Sequence, residues 1–318
     1  MDFEKWQALG NDYLIVEARG LPFELTPARV RAICAAHTGV FADGILLLSD
    51  PDRSGDQSDP DASGDQSDPD ASGDQSNPGA SGGYGDPGAG CLARLTIYNS
   101  DGSPAELSGN GAREAVLYLR RRGWTERERF SIKTAAGEIR ARITSPSTCT
   151  VDMGRARLRS ADYPSGPPDG IGQLTVGSHS WRFQHVKVGN PQCAIVLRDE
   201  AELIALVLGE TGPQIEHHEL FPQQTNVSWF TVLGPGRIRA RIFERGVGET
   251  SASGTGAIGA AVAYVLGGGD SPVVVVLDGG ELEVDVGEDL HIHLSGWALP
   301  VFRGTLADEL VEELHATQ

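Results

Sequence analysis

The 318-residue chain predicts an α+β protein of two similar domains, each a curved mixed β-sheet around a central apolar helix, with the site in the cleft between them. Three observations predict it. First, Ser108-Gly-Asn-Gly-Ala112 and Ser253-Gly-Thr-Gly-Ala257 repeat one plan, and each runs into an uninterrupted apolar segment. Second, the flanking motifs recur at nearly one distance. Gly10 stands 99 positions before Gly109, or 62 once residues 54–90 are set aside, and Gly189 stands 65 before Gly254. Third, the segments around both helices are short and alternate apolar with polar residues, the period of half-buried strands. Duplication of one β-rich unit built around a helix accounts for all three.

In chain order, Tyr13-Leu-Ile-Val-Glu17 reads as a strand leaving a Gly-Asn-Asp turn. Thr26 as N-cap and Pro27 at the first helical position predict a helix over 28–36. Ala42-Asp-Gly-Ile-Leu-Leu-Leu48 is a second strand behind a turn, and the carboxylates of Asp12 and Asp43 are expected to bond nearby amides. Ser54-Gly-Asp-Gln-Ser-Asp-Pro-Asp-Ala62 then recurs at 63–71 and, decayed, at 72–80. So little apolar content predicts that 54–90 is a disordered loop. Its aspartates lack the ligand spacing and closing glutamate of a calcium loop.

The first central helix follows Ser108 and ends at Arg120-Arg-Arg122 and Gly123, with basic side chains and a glycine where a carbonyl end favours them. The second, after Ser253, reaches Leu266 with small or apolar residues all round, so it is expected to be buried. Strands are expected at Phe130–Thr134, Glu138–Ile143, Arg237–Phe243, Val273–Leu277 and Leu282–Val286. The break between domains is placed near Ser145-Pro-Ser147.

Of the net charge of −18, the nine aspartates and one arginine of 52–90 account for −8. No basic face is left for nucleic acid. No apolar run approaches the ~20 residues of a membrane span. Met1-Asp-Phe-Glu-Lys-Trp6 lacks the basic flank and apolar run of a signal peptide, so a cytoplasmic location is expected. Cys34, Cys91, Cys149 and Cys193 fit neither a zinc site nor a disulfide framework and are expected to be reduced and buried, Cys193 in a core strand. No phosphate loop, metal cluster or pyridoxal-lysine motif is visible, and neither cofactor nor metal is expected.

The duplicated motif carries the chemistry. Serine is a favoured N-cap, and the glycines behind it let a ligand approach the free N–H groups of a helix start, which bind anions. Two such starts in one cleft hold a carboxylate from both sides and set one side chain on each face of the carbon attached to it. A polar residue stands nine positions before each serine, Asn99 before Ser108 and Glu244 before Ser253.

The chain resembles the diaminopimelate epimerases, cofactor-independent enzymes that invert one α-carbon of diaminopimelate on the route to lysine and peptidoglycan precursors. The resemblance runs through Leu9-Gly-Asn-Asp-Tyr-Leu-Ile-Val16, Ala42-Asp-Gly44, Asn99-Ser-Asp-Gly-Ser103, Gly109-Asn-Gly-Ala-Arg113 and Val188-Gly-Asn-Pro191. It continues through Phe221-Pro222, Thr225-Asn-Val227, Glu244-Arg-Gly246 and Gly254-Thr-Gly256. Many dispersed motifs in one order outweigh any single glycine pattern. The resemblance implies substrate contacts from Asn11, Asn99, Asn190, Asn226, Glu244 and Arg245, the last two meeting an ammonium and the distal carboxylate. It implies that the amides of Gly109, Asn110, Gly254 and Thr255 receive the carboxylate at the reacting carbon. It also implies that the chain from about Val301 returns to the first domain, giving 1–145 with 301–318, and 146–300.

In that family a cysteine precedes each glycine turn, one serving as base and the other as acid; here Ser108 and Ser253 stand there. The family's Gly-Asn-Pro-His reads Gly189-Asn-Pro-Gln192. A thiol titrates near ~8.5, and a hydroxyl far higher, so serine needs an activating neighbour. Three readings stay open: a diaminopimelate epimerase, a related racemase, isomerase or dehydratase with another substrate, and a binding homologue without turnover. The partners that fit are a small amino-acid substrate and a second copy of the chain in a homodimer.

Overall fold

The computed structural model describes residues 1–51, 90–177 and 179–317. The disorder expected of 54–90 falls, but for Gly90, outside them. The first half of the chain forms β1 (Asp2–Ala8), β2 (Asn11–Glu17), α1 (Pro27–Cys34), β3 (Gly44–Ser49), β4 (Ala93–Asn99), β5 (Pro104–Ala105), α2 (Gly109–Arg121), β6 (Arg129–Thr134), β7 (Gly137–Ser145) and β8 (Thr148–Arg155). The second forms β9 (Ile171–Val176), β10 (His179–Val188), β11 (Asn190–Val196), α3 (Glu200–Ala205), α4 (Leu208–Glu216), β12 (Asn226–Gly234), β13 (Arg237–Glu244) and β14 (Gly248–Thr250). It continues with α5 (Gly254–Leu266), β15 (Val273–Leu277), β16 (Gly280–Val286) and β17 (His291–Trp297), before β18 (Leu299–Thr305) and α6 (Asp308–Ala316).

The two halves are wired alike. In the first, β2 and β3 run parallel, β3 to β4 and β4 to β5 antiparallel, β4 and β6 parallel, and β6 to β7 to β8 antiparallel. In the second, β11 and β12 run parallel, β12 to β13 and β13 to β14 antiparallel, β13 and β15 parallel, and β15 to β16 to β17 antiparallel. A central helix stands at the same place in each order, α2 between β5 and β6, α5 between β14 and β15. The outer strands are exchanged: β9 follows β8 and pairs with β10, while β18 follows β17 and pairs with β1. Where the halves meet, β8 and β17 pair antiparallel, so one sheet runs through both.

The helices form where local chemistry tells them to. Ser108 and Ser253 cap α2 and α5, and Gly123, at φ +71°, takes the left-handed turn beyond α2 that disfavours a side chain. Both helices are buried along most of their length and share one apolar cluster with strands of both halves. Within it Ile258 and Val262 are fully buried, each contributing about 1.5–3 kcal/mol. Satellite clusters lie under α1, around Leu14 and Ile33, and under α3 and α4, around Phe221 and Trp229. Cys34, Cys149 and Cys193 are buried, whereas Cys91, next to the end of the described segment, is only half-buried. Among the described residues no helix is long and apolar enough to cross a membrane.

Candidate active site

The site starts from two caps of one geometry. Ser108 (φ −130°, ψ 120°) and Ser253 (φ −136°, ψ 124°) are extended, and their Oγ atoms accept from the N–H of Gly111 at 3.0 Å and of Gly256 at 3.2 Å. Ala112 and Ala257 donate back to the cap carbonyls at 2.8 and 2.9 Å. The N–H groups between them, on Gly109, Asn110, Gly254 and Thr255, have no carbonyl to reach within their own helices. The two starts abut. A methyl added to Gly109 would lie 3.2 Å from the α-carbon of Gly254 and 3.1 Å from Leu294 Cδ2, and one added to Gly254 would lie 3.1 and 3.2 Å from Gly109 Cα and the same leucine. Glycine at both positions lets two positive helix ends approach this closely, which suits a shared anion.

Each serine has a partner of its own. The Tyr13 hydroxyl donates to Ser108 Oγ at 3.4 Å. Burial pushes the Tyr13 phenol upward; the bond to Ser108 opposes this, and the charges of Glu114, Glu244 and Asp43 add to it. Tyr13 is therefore a neutral donor. On the other side Glu244, at the end of β13, accepts from Thr250 Oγ1 at 2.9 Å. Burial raises the Glu244 carboxyl, hydrogen bonds from Thr250 and Ser253 pull it back, and Asp43 raises it again. Residues of both halves thus share one electrostatic neighbourhood.

Around these groups runs a chain of polar contacts. Arg113, fully buried, donates to Gly109 O at 2.9 Å and to Asn110 Oδ1 at 2.7 Å. Asn110 Nδ2 donates to Asn11 Oδ1 at 3.2 Å, and Asn11 Nδ2 to Asp43 Oδ2 at 2.7 Å. Asp43 and Asp12 also accept from one another's backbone N–H, at 2.9 and 3.2 Å. A second cluster holds the turn after Glu244: Asn226 Oδ1 accepts from Arg245 N at 2.7 Å, Arg245 Nη1 donates to Gln223 O at 2.8 Å, and Glu216 Oε1 accepts from Gly246 N at 2.8 Å. Asn99 bonds within its own turn, to Ser103 Oγ at 2.9 Å, and Asn190 opens β11 in a half-buried position.

Ser108, Gly109, Asn110 and Asn11 are therefore brought together with Ser253, Gly254, Thr255 and Glu244, and Asn226 with Arg245 beside them. Sequence reasoning missed Tyr13, Thr250 and Glu216, whose partners lie 95, 6 and 30 positions away. Gln192 is fully buried against α5, and neither of its amide atoms has a partner among the described residues. The groups assembled here are hydroxyls and amides that donate and carboxylates that accept, a set suited to a zwitterion.

The diaminopimelate epimerase family model matches residues 90–159 and 184–297. Curated diaminopimelate epimerases are similar along almost the whole chain. One from Synechococcus sp. (strain JA-3-3Ab) is 35% identical over 317 residues, covering 97% of this chain and 99% of its own. One from Desulforudis audaxviator (strain MP104C) is 36% identical over 313 residues, covering 96% and 98%. Solved structures share the fold at low identity. A hydroxyproline epimerase from Agrobacterium vitis with bound trans-4-hydroxy-L-proline has a TM-score of 0.60 at 14% identity, covering 96% of this chain and 91% of that one. A phenazine biosynthesis protein of the PhzF family from Bacillus anthracis has a TM-score of 0.58 at 14% identity, covering 96% and 99%. With this family match and this full-length identity, the chain belongs to the diaminopimelate epimerase family.

Proposed function

We propose that the chain is a diaminopimelate epimerase, an isomerase that interconverts LL- and meso-diaminopimelate by taking a proton from one face of the α-carbon and returning one to the other. The observation that carries this is the abutment of two capped helix starts, one from each half, at Gly109 and Gly254. The N–H groups of Gly109, Asn110, Gly254 and Thr255 receive the carboxylate beside the reacting carbon. The same dipoles stabilise the charge that develops on it as the C–H bond breaks. Ser108 and Ser253 stand for the two proton-transfer positions. Glu244 meets the ammonium group, whose charge favours the ionised carboxylate that burial disfavours. Arg245 pairs with the distal carboxylate, and Asn11, Asn99, Asn190 and Asn226 hold the substrate between the ends. No cofactor enters this scheme.

A hydroxyl needs help that a thiol does not. Tyr13 is placed to donate to Ser108 as that oxygen gains charge, and Glu244 to accept from Ser253. One fact favours a second reading, binding without turnover: both hydroxyls are already engaged as helix caps. Incubation with LL-diaminopimelate in deuterated water separates the two. Deuterium entering the α-position with appearance of the meso form supports the epimerase, whereas calorimetric binding with no exchange supports the second reading. Absence of both points to a related isomerase or dehydratase acting on another carboxylate.

The proposed lobes are 1–145 with 301–318, and 146–300; the pairing of β18 with β1 supports the return of the chain end. A homodimer in the cytoplasm is the proposed setting, and four unpaired cysteines are compatible with it.

A further inference from the structure

Away from the helix starts, the antiparallel ladder of β8 and β17 carries a cluster the mechanism does not use. β17 alternates half-buried and buried residues, so His291 and His293, two apart, share the face opposite Ile292 and Leu294. In register, His293 stands directly across from Asp152 on β8 and from Asp285 on β16. His291 Nε2 lies 2.6 Å from Asp152 Oδ1, and the two imidazole rings are 5.1 Å apart, tilted by 35°. One donor atom from each of Asp152, His291 and His293 lies within 4.8 Å of the other two.

We propose that Asp152, His291 and His293 form a site for one borderline divalent cation of the zinc, cobalt or nickel class. Two imidazoles and a carboxylate are the donors such ions prefer over magnesium or calcium. The side chains are 14%, 35% and 17% exposed, which shields the site while leaving a side open to water. The groups behind the ligands are in place as well. Asp152 Oδ1 also accepts from Gly154 N at 2.9 Å, which fixes the carboxylate. His293 Nδ1 is 3.8 Å from Asp285 Oδ2, and Asp285 in turn accepts from Ser271 Oγ at 3.2 Å. Carboxylates behind metal-binding imidazoles orient them in this way. The ion would take the place of the direct His291–Asp152 contact. It ties β8 to β17, both within the proposed 146–300 lobe although far apart in the chain, on the reverse side of the strand whose Leu294 touches both helix starts.

The test is a titration of the full chain with Co2+, read by the visible absorption of the bound ion, with Zn2+ as competitor. Saturable one-to-one binding, weakened about 100-fold or more in His291→Asn and again in His293→Asn, supports the site. Asp285→Asn, which removes only the supporting carboxylate, is expected to weaken binding about 10-fold. Zinc should raise the melting temperature of the parent and leave both histidine variants unmoved. Failure to saturate at one equivalent, or binding that survives His293→Asn, overturns the proposal.

Discussion

Replacing Ser108 and Ser253 by cysteine should accelerate the reaction, and the size of the gain follows from the chemistry of the two oxygens. An alcohol resembles water, which ionises far above a thiol, itself titrating near ~8.5. The gap of roughly 7 units amounts to about 10 kcal/mol at ~1.4 kcal/mol per unit. A helix start stabilises a charged cap by at most ~2 kcal/mol and does so for sulfur as well as oxygen, so it does not close the gap. The greater basicity of an alkoxide, with a Brønsted coefficient of about 0.5 borrowed from thiol exchange, recovers half. About 5 kcal/mol then remains for each serine, a factor of roughly 5 × 10^3 in rate. The assay is deuterium entry at the α-carbon of LL-diaminopimelate, followed for the parent, both single variants and the double variant. The double variant should be fastest, with a rate that rises as the thiol acting as base ionises and falls again once the thiol acting as acid ionises too. Folded cysteine variants that bind diaminopimelate yet exchange no faster than the parent would refute the assignment of these positions to proton transfer.

Tyr13→Phe should slow exchange about 10-fold in the parent, by loss of one hydrogen bond to a charged oxygen, and leave the Ser108→Cys background nearly unchanged; equal losses in both would make Tyr13 merely structural. Gly109→Ala should lower kcat/KM by about 100-fold through a displacement on the order of 1 Å, although alanine favours helix by ~1 kcal/mol; a variant with full activity would contradict the close approach of the helix starts. Glu244 has a folded-state pKa above its unfolded one, so its protonated form stabilises the fold and that stability is lost as pH rises through the folded value. Glu244→Gln should therefore melt higher than the parent above the carboxylate range, and equally below it, with KM raised. Glu114 is fully buried with neither oxygen bonded among the described residues, and burial holds its carboxyl well above the ordinary range. Its stabilising proton is held below the unfolded pKa of ~4.3 and its benefit declines as pH rises toward the folded value, so Glu114→Gln should flatten the fall in melting temperature as pH rises above the ordinary carboxylate range.

Much of the fold was legible because its signals are local. The caps at Ser108 and Ser253 and the apolar runs behind them mark helix starts that the structure reproduces at Gly109 and Gly254. The strands after each helix carry their period in adjacent residues. By contrast α4 contains Gly209, Gly212 and Pro213, a poor helical sequence, and forms where Gly212 lets the chain lie against the Phe243 ring. The helix expected to reach residue 36 stops at Cys34, because Ala35 turns to ψ 139°. In the site, the glycines, serines and Glu244 announced themselves by repetition. The Tyr13 contact and the Asp152, His291 and His293 cluster did not, since strand register, set by the whole sheet, brings together residues 95 and 139 positions apart.

The exchanged outer strands also set an order for assembly on the ribosome. The second half has every strand of its ladder once β17 has been made, whereas β1, which precedes all the other strands, waits for β18, which follows them. The lobe translated first is thus the last to be finished, and until then its leading strand presents an open edge to the cell.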